Sequence, residues 1–315
     1  MKLLITRPLP ETVMQAASAE FDVTARAKTT PLTASELREA LRNYDAVLPT
    51  LGDLFRAEVF ADVPNPRAKI LANFGVGYNH IDTDAARAKG IAVTNTPGAV
   101  TDATADVAMT LILMTARRAG EGERMLRAGN WQGWHPIQML GTHVTGKRVA
   151  ILGMGRIGKA IANRCHHGFG MEVVFYNRSP LADAGLPARQ VDMAEAMQAD
   201  FVVACVPGGP ATRHLINAQT LSQMRPNGIF INISRGDVVD EAALVQALQQ
   251  GKIAGAGLDV YEQEPKVSPA LMTLENVTLL PHLGTAVLEV RAAMGMMALN
   301  NLIAYKSGQA LPNKV

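Results

Sequence analysis

Short apolar runs alternate with amphipathic stretches along most of the chain. The runs are rich in Val, Ile and Leu, as buried strands are, and the stretches between them repeat apolar positions at helical spacing. This alternation predicts an α/β fold in which helices cover parallel sheets. In the first third of the chain the expected strands are residues 2–6, 46–50, 69–73 and 92–95, and the expected helices are residues 34–43 and 82–89.

A long amphipathic helix is expected next, from about residue 101 to about residue 127, because Val107, Leu111 and Met114 keep one face apolar. We expect this helix to connect two domains. Beyond residue 147 the alternation restarts. The expected strands of this second group are residues 149–152, 172–176, 201–206, 229–233, 255–260 and 277–280.

Two doubly wound parallel sheets in series account for most of the chain. The break between them is expected near residues 98–101, and the chain is expected to return to the first sheet near residues 282–285. A last helix, about residues 286–306, is then expected to pack on the first domain.

Composition narrows the classes of function. The 315 residues include 30 Lys and Arg against 28 Asp and Glu, a net charge of +2 that is far from the basic excess of proteins that neutralise many phosphates. Nucleic acid is therefore not expected as a partner. Apolar residues make up 48% and charged residues 18%, which is typical of a globular protein and not of a disordered one.

The cysteine content and the N-terminal residues indicate in which cellular compartment the protein is expected. Cys165 and Cys205 are the only cysteines and lie far apart, which indicates neither a disulfide framework nor a thiolate metal site. The first residues have no signal-peptide core, and no run of about 18 apolar residues occurs. We expect a cytoplasmic protein with no membrane partner. The histidines other than His282 share no metal-ligand spacing, so no metal is expected.

A glycine-rich turn lies between the strand at 149–152 and an expected helix. In such a turn Gly153 allows the tight bend, Gly155 allows close approach of a pyrophosphate, and Gly158 allows the helix to pack against the strand. The free N–H groups at the helix start favour a bound phosphate. The spacing therefore predicts a dinucleotide site; a purely structural turn is the alternative.

The next strand ends without the acidic residue that usually accepts from the adenosine ribose of NAD. Asn177, Arg178 and Ser179 stand there instead. An Arg forms charge-assisted bonds to a 2′-phosphate, which a carboxylate would repel. NADP is therefore the preferred cofactor. The alternative is that Arg178 is a solvated loop residue and that NAD, or either cofactor, is used.

Three titratable residues, Arg235, Glu264 and His282, follow later strands of the second group. Ligands of doubly wound sheets bind beyond the carboxyl ends of the strands. Taken singly, Arg235 and Glu264 could be surface ion-pair members and His282 a loop histidine. Together they suit reduction of a 2-oxo acid, with Arg235 as a fork-shaped cation for the carboxylate, His282 as proton donor to the ketone oxygen, and Glu264 orienting the imidazole.

These residues lie in motifs that resemble the D-isomer-specific 2-hydroxyacid dehydrogenase family over nearly the whole chain. The motifs run in family order: LGMGRIG at residues 152–158, NISRG at 232–236, GLDVYEQEP at 257–265 and PHLGT at 281–285. The segment WQGWHP at 131–136 is similar to the glyoxylate/hydroxypyruvate reductase branch. The resemblance implies a flavodoxin-like substrate domain over residues 1–98, completed by 286–315, and a Rossmann dinucleotide-binding domain over 99–285.

The resemblance also implies site residues, a homodimer and small 2-oxo acid substrates such as glyoxylate and hydroxypyruvate. It assigns catalysis to Arg235, Glu264 and His282. Trp134 is implied as an aromatic that reaches the partner subunit's active site, with a buried anchor of the dimer arm as the alternative. Further substrate contacts are implied at Leu51, Val76 and Gly77, and further cofactor contacts at Arg156, Ile157, Val206, Pro207, Ile233, Asp259 and Gly284.

Two other functions stay open at this point. Arg235 would bind any compact oxyanion, so another 2-oxo acid or phosphite is an alternative substrate. A dinucleotide-sensing protein without catalysis could have the same fold, although the complete Arg, Glu and His set argues against it.

Overall fold

The computed structural model describes all 315 residues of the chain. The chain folds into two compact units: the first comprises Met1–Val100 and Thr285–Val315, and the second comprises Thr101–Gly284. None of the helices combines the length and the apolar character that a membrane crossing requires.

Twelve strands form the two sheets. In chain order they are β1 (Lys2–Ile5), β2 (Asp22–Ala25), β3 (Ala46–Leu48), β4 (Ile70–Ala72), β5 (Ala92–Thr94), β6 (Arg148–Leu152), β7 (Glu172–Tyr176), β8 (Ala188–Gln190), β9 (Phe201–Ala204), β10 (Ile229–Asn232), β11 (Gly255–Leu258) and β12 (Val277–Leu279).

Twelve α-helices connect or cover the strands. They are α1 (Glu11–Glu20), α2 (Ala34–Asn43), α3 (Ala57–Ala61), α4 (Thr83–Ala88), α5 (Thr101–Ala116), α6 (Ala119–Arg127), α7 (Arg156–Asn163), α8 (Met193–Met197), α9 (Ala218–Leu221), α10 (Glu241–Gln249), α11 (Pro269–Met272) and α12 (Leu288–Lys306). A π-helical turn, Arg164–Gly168, extends α7, and a 3-10 turn, Gly236–Val238, follows β10.

The first unit contains a five-stranded sheet in the order β2-β1-β3-β4-β5, with every neighbouring pair parallel. Its helix α12 packs on α1, where a Cβ at Gly295 would lie 2.6 Å from a methyl group of Val13. The glycine therefore lets the two helices approach closely. The apolar side chains between the sheet and these helices include Leu3, Ile5, Leu48, Ile70, Leu299 and Leu302.

The second unit contains a seven-stranded parallel sheet in the order β12-β11-β10-β9-β6-β7-β8. Its central strands are buried on both faces, because alternate residues such as Val202 and Val203 enter separate apolar cores. The expectation of an α/β fold with two doubly wound parallel sheets is confirmed. The strand order reverses between β6 and β9. Ligands of doubly wound sheets bind beyond the carboxyl ends of the strands at such a reversal.

The expected single helix over residues 101–127 is wrong, because the structure has two helices there. Arg118 adopts a left-handed conformation with φ +52° and separates α5 from α6. The carbonyl of Ala116 accepts from the N–H of Thr142, and a Cβ at Gly141 would lie 2.4 Å from that oxygen. Packing of a distant segment against the end of α5 thus accompanies the break that the apolar periodicity does not predict.

Four elements of the fold were absent from the sequence-based assignment: β2, α1 and α3 in the first unit and β8 in the second. Both strands are edge strands, and β2 and β8 contain no fully buried residue. Edge strands of this kind lack the apolar run by which central strands are recognised.

Candidate active site

The glycine-rich turn after β6 is tightly packed at its first and third glycines. Gly153 has φ +101°, and a Cβ there would lie 3.0 Å from the backbone of Cys205. A Cβ at Gly158 would lie 2.2 Å from the carbonyl oxygen of Gly153. At Gly155, by contrast, a Cβ would meet no protein atom within 4 Å. Packing within the protein therefore explains two of the glycines, and the third faces open space.

Helix α7 begins directly after Gly155, and no side chain caps its N-terminus. The N–H groups of Arg156 and Ile157 have no acceptor within the protein. Free N–H groups and the positive end of the helix dipole attract an anion, and the open space at Gly155 leaves room for one. The residues of the turn thus fit the pyrophosphate of a dinucleotide.

The three residues after β7 have different environments. The side-chain oxygen of Asn177 accepts from the N–H of Met154 at 2.7 Å, so it braces the glycine-rich turn. Arg178 is exposed and makes no hydrogen bond or ion pair within the protein. Ser179 is exposed, and its carbonyl accepts from Gln190. Arg178 is therefore a free cation beside the turn.

Arg235 is presented by a turn that Asn232 organises. Asn232 is the last residue of β10 and is 1% exposed. Its side-chain oxygen accepts from the N–H and the hydroxyl of Ser234, and its NH2 group donates to the carbonyl of Arg235 at 3.1 Å. A Cβ at Gly236 would overlap the backbone of Tyr261, so only glycine permits this close approach.

The guanidinium of Arg235 is incompletely bound within the protein. One Nη donates to the carbonyl of Ser234 at 2.7 Å, whereas Nε is buried and has no partner. Burial lowers the pKa of Arg235 from its ordinary value, and the negative charges of Glu264 and Asp237 oppose this shift. Arg remains charged at neutral pH, so a partly buried cation with a buried free donor lies at the carboxyl ends of the strands.

Glu264 and His282 form a pair. Oε2 of Glu264 lies 2.8 Å from Nδ1 of His282, and Oε1 accepts from the N–H of Tyr261 at 3.1 Å. Burial raises the pKa of Glu264, but the hydrogen bond and charge of His282, the Tyr261 N–H and the charge of Arg235 outweigh burial and hold the pKa below its ordinary value.

The ionised state of Glu264 assigns the hydrogen of His282. A carboxylate only accepts hydrogen bonds, so Nδ1 of His282 must carry the proton that lies between them. Nε2 then remains for a ligand, as a donor in the imidazolium and as an acceptor in the neutral ring. The pair is about one-third exposed, at 31% for His282 and 30% for Glu264.

Asp259 holds the loop on which His282 lies. It is 2% exposed, and its two carboxylate oxygens accept from the N–H groups of Leu283 at 2.6 Å and Gly284 at 2.9 Å. Burial raises the pKa of Asp259, while these backbone hydrogen bonds oppose the increase. His282 itself has φ +55°, a conformation that is unfavourable for a residue other than glycine. Asp259 therefore stabilises a strained backbone next to His282.

The second sheet brings most of the sequence-predicted site residues together at the carboxyl ends of its strands. Each follows the carboxyl end of a strand in one half of the sheet. They are Gly153 after β6, Val206 and Pro207 after β9, Ile233 and Arg235 after β10, Asp259 and Glu264 after β11, and His282 and Gly284 after β12. Trp134 belongs to none of these strand ends and is 79% exposed.

Other predicted residues lie in the first unit, also after strands. Leu51 follows β3, where Thr50 and the fully buried Asp53 form a hydrogen-bonded turn. Val76 and Gly77 lie in the loop after β4, and their N–H groups have no acceptor within the protein. These free donors suit a small anion.

Asn232 and Tyr261 hold loops at the carboxyl ends of these strands through hydrogen bonds. The sequence analysis did not single them out as site residues. The hydroxyl of Tyr261 donates to the carbonyl of Leu280, two residues before His282, at 2.8 Å. A polar residue directly after the apolar run Ile229, Phe230 and Ile231 is a signal that could have singled out Asn232. Tyr261 has no comparable signal, because its partner is distant in the sequence.

A cavity of about 380 Å³ opens at the opposite ends of the strands. Its lining includes Arg118, Leu140, Ile229 and Val277. Ile229 and Val277 are the first residues of β10 and β12, whereas the residues described above follow the last ones. This cavity is therefore separate from the candidate site.

A protein family and a curated relative are similar to this chain. A family model described as D-isomer specific 2-hydroxyacid dehydrogenase, NAD binding domain, matches residues 109–284. Glyoxylate reductase of Thermococcus gammatolerans is 42% identical over 321 aligned residues, which cover 100% of this chain and 95% of the relative.

Solved structures agree over the whole chain. A protein of Thermus thermophilus is similar with a TM-score of 0.92 at 37% identity, covering 100% of both chains. An NADPH-dependent glyoxylate/hydroxypyruvate reductase from Sinorhizobium meliloti, in complex with NADP and malonate, is similar with a TM-score of 0.88 at 35% identity. That similarity covers 100% of this chain and 96% of the other chain.

Proposed function

The chain belongs to the D-isomer specific 2-hydroxyacid dehydrogenase family, and we propose that it reduces small 2-oxo acids such as glyoxylate and hydroxypyruvate to 2-hydroxy acids. The observation that carries this proposal is the Glu264–His282 pair at the same sheet edge as the partly unbound guanidinium of Arg235. A proton donor and a carboxylate-binding cation are what the reduction of a 2-oxo acid requires.

Arg235 binds the substrate carboxylate. Its buried Nε has no partner in the protein, so a carboxylate oxygen supplies the missing acceptor. The planar fork of the guanidinium binds a carboxylate through two parallel hydrogen bonds and thereby orients it. The charge of Arg235 also compensates the negative charge of the substrate at this partly buried place.

His282 protonates the ketone oxygen from Nε2, because Nδ1 is held by Glu264. Glu264 fixes the ring orientation and stabilises the imidazolium before the proton leaves. A bound reduced nicotinamide supplies the hydride that adds to the carbonyl carbon. The 2-oxo acid thus gains a hydride at carbon and a proton at oxygen, and it becomes a 2-hydroxy acid.

Val76, Gly77 and Leu51 supply further substrate contacts in this proposal. The free N–H groups of Val76 and Gly77 bind a carboxylate oxygen, and Leu51 forms part of the pocket wall. Leu51 is 38% exposed, so its side chain is accessible to a ligand.

Gly155, Arg156 and Ile157 of the glycine-rich turn would hold the pyrophosphate of the dinucleotide. We propose NADP as the preferred cofactor, because Arg178 is a free exposed cation where an acidic residue would select NAD. The Sinorhizobium meliloti relative is likewise described as NADPH-dependent. Val206, Pro207, Ile233, Ser179 and Gly284 contribute further contacts.

In this proposal the main role of Asn177 and Asp259 is to stabilise loops through hydrogen bonds to backbone N–H groups. Asn177 commits its side-chain oxygen to the turn, and Asp259 commits both oxygens to the loop after His282. Contacts of these two residues with the cofactor would be additional to those internal bonds.

The chain is further proposed to form a homodimer through the segment between α6 and β6. Trp134, Ile137 and Leu140 are exposed there, at 79%, 75% and 67%. Such a group of large apolar side chains marks an interaction surface, and symmetric self-association is the commonest way to cover one. Sedimentation equilibrium should give the mass of two chains.

Both cysteines are free thiols, which fits the proposed cytoplasmic location.

Initial rates test the proposed reaction. NADPH and NADH are each combined with glyoxylate, hydroxypyruvate, pyruvate and a bulky 2-oxo acid, and loss of reduced-nicotinamide absorbance is measured. Fast turnover of the two small acids with NADPH is expected. Cofactor binding without turnover of any 2-oxo acid would overturn the reductase proposal, and phosphite oxidation or dinucleotide sensing would then be examined.

A further inference from the structure

The loop after β4 has its backbone carbonyls turned toward two asparagine side chains. Asn73 donates through its NH2 group to the carbonyls of Gly75 at 3.0 Å and Gly77 at 3.1 Å. Asn95 donates to the carbonyl of Val76 at 2.9 Å. Three consecutive carbonyl oxygens are therefore bound by side-chain amides.

The N–H groups of the same three peptide units are left free. No protein group accepts from the N–H of Val76, Gly77 or Tyr78. Consecutive free N–H groups form a concave anion-binding site, and they do so only while the intervening carbonyls point away from the anion. The two amides thus hold the peptide orientation that makes the loop a donor surface.

Asn73 is placed for donation and not for acceptance. Its side chain is completely buried, its NH2 group makes both hydrogen bonds to the loop, and its Oδ1 has no partner. A buried oxygen without a donor is costly, so the residue is not optimised for the stability of its surroundings alone. Its donor group is the part that the loop uses.

Asn95 is also held through its backbone. It follows β5, and its backbone N–H donates to the carbonyl of Asn313 at 3.1 Å. Asn313 is in turn bound through its backbone N–H and side chain to Asn301 of α12. Asn95 therefore links the loop through Asn313 to α12, and these hydrogen bonds hold the Val76 carbonyl in place.

We propose that Asn73 and Asn95 are positioning residues that hold the N–H groups of Val76, Gly77 and Tyr78 ready for the carboxylate of a small substrate. This inference rests on the proposed function for the identity of the substrate. It adds the two side chains that set the donor geometry, and it adds Tyr78 as a third donor. Neither asparagine touches the substrate.

The kinetic test uses neutral substitutions, since an added negative charge would repel the substrate by itself. Asn95→Ala removes one bond to the loop, and Asn73→Ser removes two. The KM for glyoxylate at saturating NADPH should rise about tenfold or more. The kcat should stay within about twofold, as is expected when binding common to the ground and transition states is lost. The Kd for NADPH should not change.

Two further variants separate positioning from general damage. Asn276→Ala removes a similar amide bond, from Asn276 to the carbonyl of Ala254 in the second unit, and should leave the KM unchanged. Asn95→Gln keeps an amide donor and should restore part of the affinity. Asn95 is only partly buried, so its variants are expected to fold even where Asn73→Ser does not, and urea unfolding checks this.

A binding measurement makes the result independent of turnover. Oxalate, a two-carbon dicarboxylate, is titrated into the NADP-bound protein while the backbone amide resonances of Val76, Gly77 and Tyr78 are followed. They should shift in the wild type, and the oxalate affinity of Asn95→Ala should fall about tenfold. Oxalate binding of this kind in a protein that reduces no 2-oxo acid would support the loop inference while the proposed reaction failed.

The inference is overturned by either of two results. One is an unchanged KM and oxalate affinity in folded Asn95→Ala and Asn73→Ser. The other is the absence of any oxalate-induced shift at the three amides in the wild type. Active wild-type enzyme together with either result would leave the proposed reaction standing.

Discussion

The carboxylate of Asp259 accepts from the N–H of Leu283 at 2.6 Å, directly beside the left-handed backbone of His282. The same carboxylate also accepts from the N–H of Gly284, so two successive peptide groups are held by one buried side chain. This contact gives Asp259 a role that is distinct from the cofactor contact expected from the sequence. It keeps the imidazole of His282 in reach of Glu264.

Asp259→Asn is expected to lower kcat by about a hundredfold, because a small misplacement of a proton donor costs that much. The amide offers one acceptor oxygen where the carboxylate offers two, so one of the two N–H groups loses its partner. Steady-state kinetics with a parallel titration of NADPH binding measures this effect. A fall in cofactor affinity with an unchanged kcat would instead favour direct contact with the nicotinamide.

Glu264→Gln is expected to lower the kcat for glyoxylate reduction about tenfold or more. The carboxylate of Glu264 lies 2.8 Å from Nδ1 of His282 and fixes the orientation of the ring. A neutral amide binds the ring through a weaker hydrogen bond. Steady-state rates at saturating NADPH and glyoxylate provide the measurement. An unchanged kcat would argue that Glu264 does not orient His282.

Glu264 also predicts how folding stability depends on pH. The pKa of Glu264 is held below its ordinary value in the folded protein, so the folded state binds this proton less readily than the unfolded state. The resulting stability is present above the ordinary carboxyl pKa and is lost as pH falls through the lower folded pKa. Urea unfolding at about pH 6 and about pH 3 should therefore show a larger loss for the wild type than for Glu264→Gln.

Arg235→Lys is expected to raise the KM for glyoxylate by about tenfold to a hundredfold, because a charge-assisted hydrogen bond is lost. Lysine keeps the positive charge but cannot form the two parallel bonds of the fork. The lysine ammonium also does not replace the buried Nε that has no partner in the protein. An unchanged KM would remove Arg235 from the carboxylate site.

Arg178→Ala is expected to weaken NADPH binding about tenfold or more and to leave NADH binding nearly unchanged. Arg178 makes no internal contact, so its loss should not alter the fold. Fluorescence titration with each reduced cofactor measures the two dissociation constants. Equal effects on both cofactors would contradict recognition of the 2′-phosphate by this side chain.

Local patterns in the sequence were enough to predict the fold class and the family. Apolar runs marked ten of the twelve strands, and the spacing of Gly153, Gly155 and Gly158 identified the turn after β6. The expected family resemblance is confirmed by the match over residues 109–284. Arg235, Glu264 and His282 could be singled out because polar residues after strands of a parallel sheet converge at one edge.

The sequence by itself determined the doubly wound sheets and the candidate residues. The reason is that the spacing of apolar residues along a segment indicates whether it is buried as a strand or as a helix. Only the tertiary structure decided the separation of α5 from α6 at Arg118, the hydrogen bond from Asn95 to the carbonyl of Val76, and the hydrogen bond from the N–H of Leu283 to Asp259. These contacts join groups that are distant in the chain. Their partners become neighbours only when the strands align, so no local pattern predicts them.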